Sequence, residues 1–290
     1  MRPILILTIA GVLLCLQVLS GCKREETIDP QGTGFVEANH AYEENFGAPP
    51  QGREGNAFAR VAYLPLRNAP EKLRAMPLFL FSNQDQLRQI LERLISGELL
   101  IQRGGELYNP FPTELQMSIA NPEGPATAIS LATGQAWAPG DQLAGSRALA
   151  ETALQFAGVE RVIILLDGAP LLQMPAGGFV HDQESLVRVE PPALVLMAGV
   201  WQEGSDAPHE LLVEFDRPIK VKSFKLYDQD GNPVDGKYFT SIFQMAVVVH
   251  PQDPGRYREG TVLSAEWDVA DELGRSSSGT SSQPLQRIEH

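Results

Sequence analysis

Cys22 is the residue whose position in this sequence most directly calls for chemistry. It closes a run from Ile4 to Leu19 that is almost wholly apolar and uncharged, entered through the short basic start Met1-Arg2-Pro3. Leu19, Ser20 and Gly21 precede it, and Lys23, Arg24, Glu25 and Glu26 follow at once. A thioether forms only on a cysteine sulfur. A peptidase that cuts just before a modified cysteine needs small residues in the preceding positions. The run has the length of a signal-peptide core and falls short of the ~20 apolar residues of a transmembrane helix. The charges after Cys22 prevent the segment from continuing as a span. Cys15 lies inside the run and leaves with it, so the mature chain keeps one cysteine. Acylated, that cysteine forms no disulfide and serves as no nucleophile.

Leu19-Ser20-Gly21-Cys22 resembles the bacterial lipobox. The resemblance implies that residues 1–21 are a lipoprotein signal peptide and that Cys22 is the lipid-bearing N-terminus. An ordinary cleaved signal with an incidental cysteine and a retained anchor helix are the other readings of the same run. Small residues and a cysteine standing together at its end favour the lipobox. Lys23 stands where an Asp retention signal would, so the periplasmic face of the outer membrane is expected in a Gram-negative host. The outer face of the cell membrane is expected in a Gram-positive one. The chain of 290 residues carries a formal charge of −13 and a pI near 4.9. That balance disfavours nucleic acid and gives no attraction to anionic lipid. The membrane is therefore a partner through the lipid on Cys22, and stable attachment needs more than one acyl chain.

Other chemistry is weighed against simpler roles. The sequence holds no Gly-x-Ser-x-Gly elbow and no His-Glu-x-x-His helix, and no catalytic set or cofactor is expected. Gly104-Gly105 and Gly177-Gly178 lack a strand-to-helix phosphate context and read as turns. Asp228-x-Asp230-Gly231-Asn232 misplaces the glycine of a calcium loop and lacks its later ligands, so a hairpin turn is expected, with a weak site including Asp235 as the alternative. His181, His209 and His250 show no ligand spacing. Glu266 and Asp268 share one strand face and Trp267 the other, which places the carboxylates outside and the indole inside. Trp137 sits in a Gln-Ala-Trp-Ala-Pro-Gly loop and, with Tyr63, is a candidate for binding a partner. Core packing against the following helix is the competing role for Trp137.

The elements that must position these residues follow from periodicity. Residues 22–56 are rich in Gly and Pro and sparse in apolar residues, which reads as a flexible tether in which His40, Tyr42 and Phe46 form at most a short recognition segment. Residues 57–175 read as strand (Phe58–Leu66), short apolar run (Leu78–Phe81), helix, two strands (Leu115–Ala120, Ala126–Leu131), helix (Gln142–Ala157) and strand (Val162–Leu166). The first helix takes Ser82 as N-cap, Leu87, Ile90, Leu91, Leu94 and Ile95 as one apolar stripe, and Gly97 as terminator. That order gives an α+β domain, a small mixed sheet with two helices on one face. Its opposite face, with Tyr63, Met117 and Ile119, is left for a partner or another part of the chain. A Gly- and Pro-containing stretch from Pro175 to Pro192 separates it from residues 189–275. There, alternating runs at Leu194–Val200, Leu211–Phe215, Val221–Tyr227, Ala246–Val249 and Val262–Val269 read as an all-β sandwich. Residues 276–290 are Ser- and Gly-rich and read as a disordered tail.

Within this pattern, Ala148–Leu171 (ALAETALQFAGVERVIILLDGAPL) resembles the C-terminal half of the GerMN domain, with a helix ending in a Phe-x-Gly-Val step, a strand with a basic start and an Asp-Gly turn. Arg60–Leu66, Leu87–Gly97 and the hairpin before the second helix are similar to that family's earlier elements. Glu98-Leu99-Leu100 and the insert to Pro112 depart from its pattern. Leu211–Val234 and Thr261–Gly279 look like a bacterial Ig-like domain of the surface-layer or copper-resistance type. These resemblances imply a non-catalytic envelope lipoprotein that binds an envelope protein or peptidoglycan and assembles through its surfaces. The alternatives are an extracytoplasmic ligand or metal carrier and an accessory factor for peptidoglycan-remodelling enzymes.

Overall fold

The computed structural model describes residues 34–51, 55–97, 99, 105–171, 173–188 and 190–289; Leu19, Ser20, Gly21 and Cys22 lie outside them. Residues Thr33–His290 form one compact unit. Its first half is α+β and its second an all-β sandwich, as the periodicity implies.

The first half begins earlier than the sequence suggests. β1 (Phe35–Ala38) pairs in parallel with the start of β2 (Asn56–Leu66), and α1 (His40–Phe46) follows directly. Asn39 caps α1, its side chain accepting from the Tyr42 N–H at 3.0 Å. Tyr42 and Phe46, one turn apart, are both buried. The tether reading of 22–56 is therefore corrected for 35–46. A seven-residue helix held by two aromatic anchors is too short to show a period.

β2 forms a long hairpin with β3 (Ala69–Leu80). β1 covers the other edge of β2 only as far as Ala59. Beyond it, side chains from the end of α3 (Pro139–Leu154) and the residue after it take over the ladder. The Gln155 amide accepts from the Val61 N–H at 2.9 Å and donates to the Val61 carbonyl, and Thr152 Oγ1 accepts from the Tyr63 N–H at 3.1 Å. An edge that would otherwise expose unpaired backbone groups is closed by a helix terminus.

α2 (Gln86–Ser96) buries Leu87, Ile90, Leu91 and Leu94 and ends at Gly97 with φ 74°, as its stripe and terminator imply. Its N-cap position is Asp85, in the left-handed region and without a side-chain cap bond; Ser82 instead accepts from the Gln84 N–H, two residues on. The remaining strands form a second small sheet, β4 (Gln116–Ala120), β5 (Ala126–Ala132), β6 (Arg161–Leu166) and β7 (Ala169–Pro170), with β5 and β6 parallel across α3. The strands are thus shared between two mixed sheets where one was expected. α3 contacts β2 and β3 of one, β6 of the other, and α2. It is consequently buried on more than one side, and Ala144, Ala148, Ala150 and Ala153 keep it thin. Gly145 has the clearest reason: an added Cβ would sit 2.8 Å from Phe111 and 3.0 Å from Trp137.

The sandwich stacks β11 (Gly236–Thr240), β12 (Ala246–Pro251), β9 (Glu210–Phe215), β8 (Leu194–Trp201) and β15 (Gln286–Glu289) over β10 (Lys220–Tyr227), β13 (Val262–Ala270) and β14 (Ser276–Pro284). The tail reading of 276–290 is corrected: β14 pairs with β13 along its whole length and β15 with β8. Ser-rich β14 sits on a sheet edge, where hydroxyls face water on one side. Its Gly279 is opposite Trp267, and an added Cβ there would meet the indole at 2.9 Å.

The halves meet through a real interface. Phe79 stacks on Phe243 with ring centroids 4.0 Å apart, and Leu73 bonds to Ser185 and Val187 through its backbone. Arg217, 2 % exposed, donates to Asp216 at 2.7 and 2.9 Å, to the Glu190 carbonyl and to Asp271 at 3.5 Å, and lies over the Phe46 ring at 5.9 Å. Arg275 binds Asp271 and donates to the Asn45 carbonyl at 2.7 Å. Replacing Arg217 by Ala leaves the buried Asp216 carboxylate without its cation and leaves Asp271 to Arg275 alone. Chemical denaturation should show a loss of about 3–5 kcal/mol, the range for breaking a buried pair, and Arg217→Lys should not restore it, since an ammonium lacks the planar fork.

Candidate functional site

Outside the Arg217 network, titratable groups converge where α3, α1, β2 and the loop 175–187 meet. Glu151, on α3, is 5 % exposed. Its Oε1 accepts from the Asp182 N–H at 2.9 Å and its Oε2 lies 3.0 Å from His181 Nδ1. Burial pushes the Glu151 carboxyl up, against the opposing effect of those two partners. Partial burial works to lower His181, and the hydrogen bond and charge of Glu151, with Gln183 and Glu44 behind, outweigh it and raise the imidazole. Tyr63 is 5 % exposed on β2. Burial first, then the charge of Glu151, pushes its phenol up to about 12, with Asn45 beside it working the other way. A cavity of about 220 Å³ opens beside the pair, lined by Arg147, Glu151, Phe179, Asp182 and Ser185.

The loop is brought close by Gly178, where φ is 97° and an added Cβ would meet the Val162 carbonyl oxygen at 2.7 Å. Phe179 then exchanges backbone hydrogen bonds with Val162. The arrangement clips the loop to the helix. The second His181 nitrogen faces the Gln183 amide oxygen at 3.3 Å, and the Ser185 hydroxyl donates to the Asp182 carbonyl. The pair thus holds a proton and a loop, with no hydroxyl in line for activation among these contacts.

Two surface candidates are relocated. Trp137 is 9 % exposed, its Nε1–H donates to the Pro110 carbonyl at 2.8 Å, and its ring lies against Phe111 and Gly145. It is core, because the helix beneath it has no Cβ to hold it off. Tyr63 is likewise buried and is no partner surface. Met117 and Ile119 pack against the core rather than lying open. Glu151 carried one legible signal, a carboxylate inside the apolar Ala148–Leu154 stretch. Its partner His181 lies 30 residues on, beyond the reach of local patterns.

The metal readings meet the following geometry. Asp228 accepts from the N–H groups of Asp230 and Asn232 and from Arg256. Burial works to raise it, and these donors together hold it below the usual carboxylate range. Its lone pairs serve the turn. His181 pairs with Glu151, and His250 with Glu210 at 2.8 Å. Among the described residues no group of three or more His, Cys, Asp or Glu is arranged to hold a metal. Among them, too, no helix is long and apolar enough to cross a membrane.

Tandem GerMN domains of the sporulation protein GerM from Bacillus subtilis align with 61 % of this chain at 17 % identity and TM-score 0.35, and the likeness spans 58 % of that structure. The chain is similar to GerMN domains. The first GerMN domain of the same protein aligns over 97 % of its own length and 45 % of this chain, at 20 % identity and TM-score 0.33. PcoC, a methionine-rich copper resistance protein from Escherichia coli, aligns over 98 % of its length and 33 % of this chain, at 17 % identity and TM-score 0.25. No family model and no curated protein matches the sequence. At these scores no residue role is carried across from any of the three.

A half-buried acid in the sandwich is also shifted. Glu214 sits on the face of β9 opposite Leu211, Val213 and Phe215, between Leu196 and Ala246 of the neighbouring strands, and burial pushes its carboxyl up to about 7. A raised folded-state value makes its contribution fullest below the unfolded value of about 4.5 and lost as pH rises through 7. The shift corresponds to roughly 3 kcal/mol at alkaline pH. Melting temperature followed from pH 4 to 8.5 should therefore fall less steeply in Glu214→Gln than in the parent chain. Trp137→Ala should lower stability by about 3–5 kcal/mol by denaturant titration, as for a buried aromatic; a change within 0.5 kcal/mol would return the indole to the surface.

Proposed function

We propose that this chain is a lipid-anchored envelope protein whose folded unit is a non-catalytic binding or assembly module. The observation that carries the reading is Leu19-Ser20-Gly21-Cys22 at the end of an uncharged apolar run, with a compact unit beginning at Thr33, 11 positions later. That length reaches at most about 40 Å, so an acylated Cys22 holds the unit close to the bilayer. The non-catalytic part is supported by what the buried ionisable groups do: Glu151 fastens a loop, Asp228 a turn, and Asp216 and Asp271 an interface arginine. The partner class the reading favours is an envelope protein or the peptidoglycan.

The anchor is tested by Cys22→Ser in the native host. The parent chain should incorporate labelled palmitate and sediment with membranes, and the variant should lose both. A variant that stays in the membrane fraction with its leader attached would overturn the anchor. Affinity capture from detergent-solubilised membranes should return a protein or glycan partner. A bound ion or small molecule that co-purifies in stoichiometric amount would replace the assembly reading with a carrier.

A further inference from the structure

Three large apolar side chains are left in water near one end of the compact unit. Phe81 is 67 % exposed, Ile242 61 % and Phe35 47 %. Phe81 lies against half-buried Phe243 at 5.8 Å between ring centroids, and Phe243 in turn stacks on Phe79. Phe35 meets Phe58 edge-on at 6.2 Å. Strand register places these groups. Phe35, the first residue of β1, is opposite Asn56, the first of β2, and Leu80, the last of β3, is opposite Phe58. Phe81 therefore emerges at the sheet end where β1 begins, with Phe35 and Phe58 on one face and Phe79, Phe81 and Phe243 on the other. It is also the end at which the described residues begin, at Gly34.

We propose that this end is a membrane-seated tip, with Phe81 and Ile242 inserted into the headgroup–acyl boundary of the bilayer and Phe35 beside them. The proposal rests on the lipid anchor at Cys22. Two observations select a bilayer as the occupant. First, Phe35 is 13 positions after Cys22, a reach of about 45 Å at most, so the anchor holds the bilayer at high effective concentration beside this end. Second, the two segments that carry Phe81 and Ile242 are free of charge in a chain of net charge −13: Leu78 to Gln84 and Phe239 to Met245 contain no Asp, Glu, Lys or Arg, while Glu37 stands two residues along β1 from Phe35. A neutral, aromatic-rich tip partitions by apolar burial and needs no anionic lipid, whereas a charged rim would resist entry. Insertion of a few side chains is weak alone and becomes effective once the anchor has removed the cost of encounter.

The test uses the whole acylated chain carrying Phe81→Trp, reconstituted in phosphatidylcholine vesicles in which part of the lipid bears bromine on its acyl chains. Trp137 and Trp201 are buried and Trp267 half-buried, so the parent chain supplies the background. The new indole should lose emission in brominated vesicles relative to unbrominated ones, beyond the loss in the parent, and the loss should persist at high salt. Ile242→Trp is a second, independent reporter. Emission of both variants quenched no more than the parent's overturns the tip, and so does shielding of both positions by a cross-linked protein. A chain that carries no acyl group by mass spectrometry removes the anchor and the tip together. An acylated chain with unquenched reporters removes the tip alone.

Discussion

A guanidinium with almost no surface in water must be surrounded by anions and carbonyls, or the fold that buries it does not form. Arg217 meets that requirement with groups from several parts of the chain: Asp216 beside it, the Glu190 carbonyl from the connecting stretch, Asp271 after β13 and the ring of Phe46 in α1. Arg275 extends the set to the Asn45 carbonyl. Such a network stabilises little on balance, because desolvation offsets much of the attraction, but it is costly to leave incomplete. Its effect is to make the correct docking of the two halves the arrangement in which every buried charge is satisfied. The segment from Pro175 to Pro192 thus lies against both halves, through Ser185, Val187 and Glu190, and does not swing free.

The same logic of satisfaction explains the edge of β2. A strand paired on one side by β3 and on the other only as far as Ala59 would expose its backbone from Val61 onward. Gln155 and Thr152 supply the missing donors and acceptors, and Asn39, the cap of α1, donates to the same Gln155 oxygen. One side chain therefore ties α1, α3 and β2 together. This dense polar closure sits beside Glu151 and His181, which bring the loop 175–187 onto the helix. The interior of the first half is organised around holding α3 in place, and the small residues along that helix let both sheets approach it.

If the surfaces carry the function, the buried ionisable groups are free to serve the fold. The uncharged segments with Phe81 and Ile242 differ from the acidic surface elsewhere, on which carboxylates such as Glu266 and Asp268 lie near Tyr227 and Lys222.

Much was determined by sequence alone. The apolar run before Cys22, the stripe of α2, its glycine stop and the alternating strands of the sandwich are each short-range patterns, and a period of two or of 3.6 is written in neighbouring residues. The α+β half followed by a sandwich is legible for that reason, as is the outward placement of Glu266 and Asp268. Tertiary structure decided the rest. α1 has two apolar residues one turn apart, and it is a helix because Tyr42 and Phe46 reach a core made elsewhere. β14 has almost no apolar residue, and it is a strand because β13 offers it a full ladder and Trp267 requires a glycine opposite. Trp137 is inside because Gly145, eight residues on, leaves room for the indole, and Tyr63 because α3 closes over its strand. In each case the deciding partner is brought close only by folding, and a local pattern holds no record of a contact whose other half lies far along the chain.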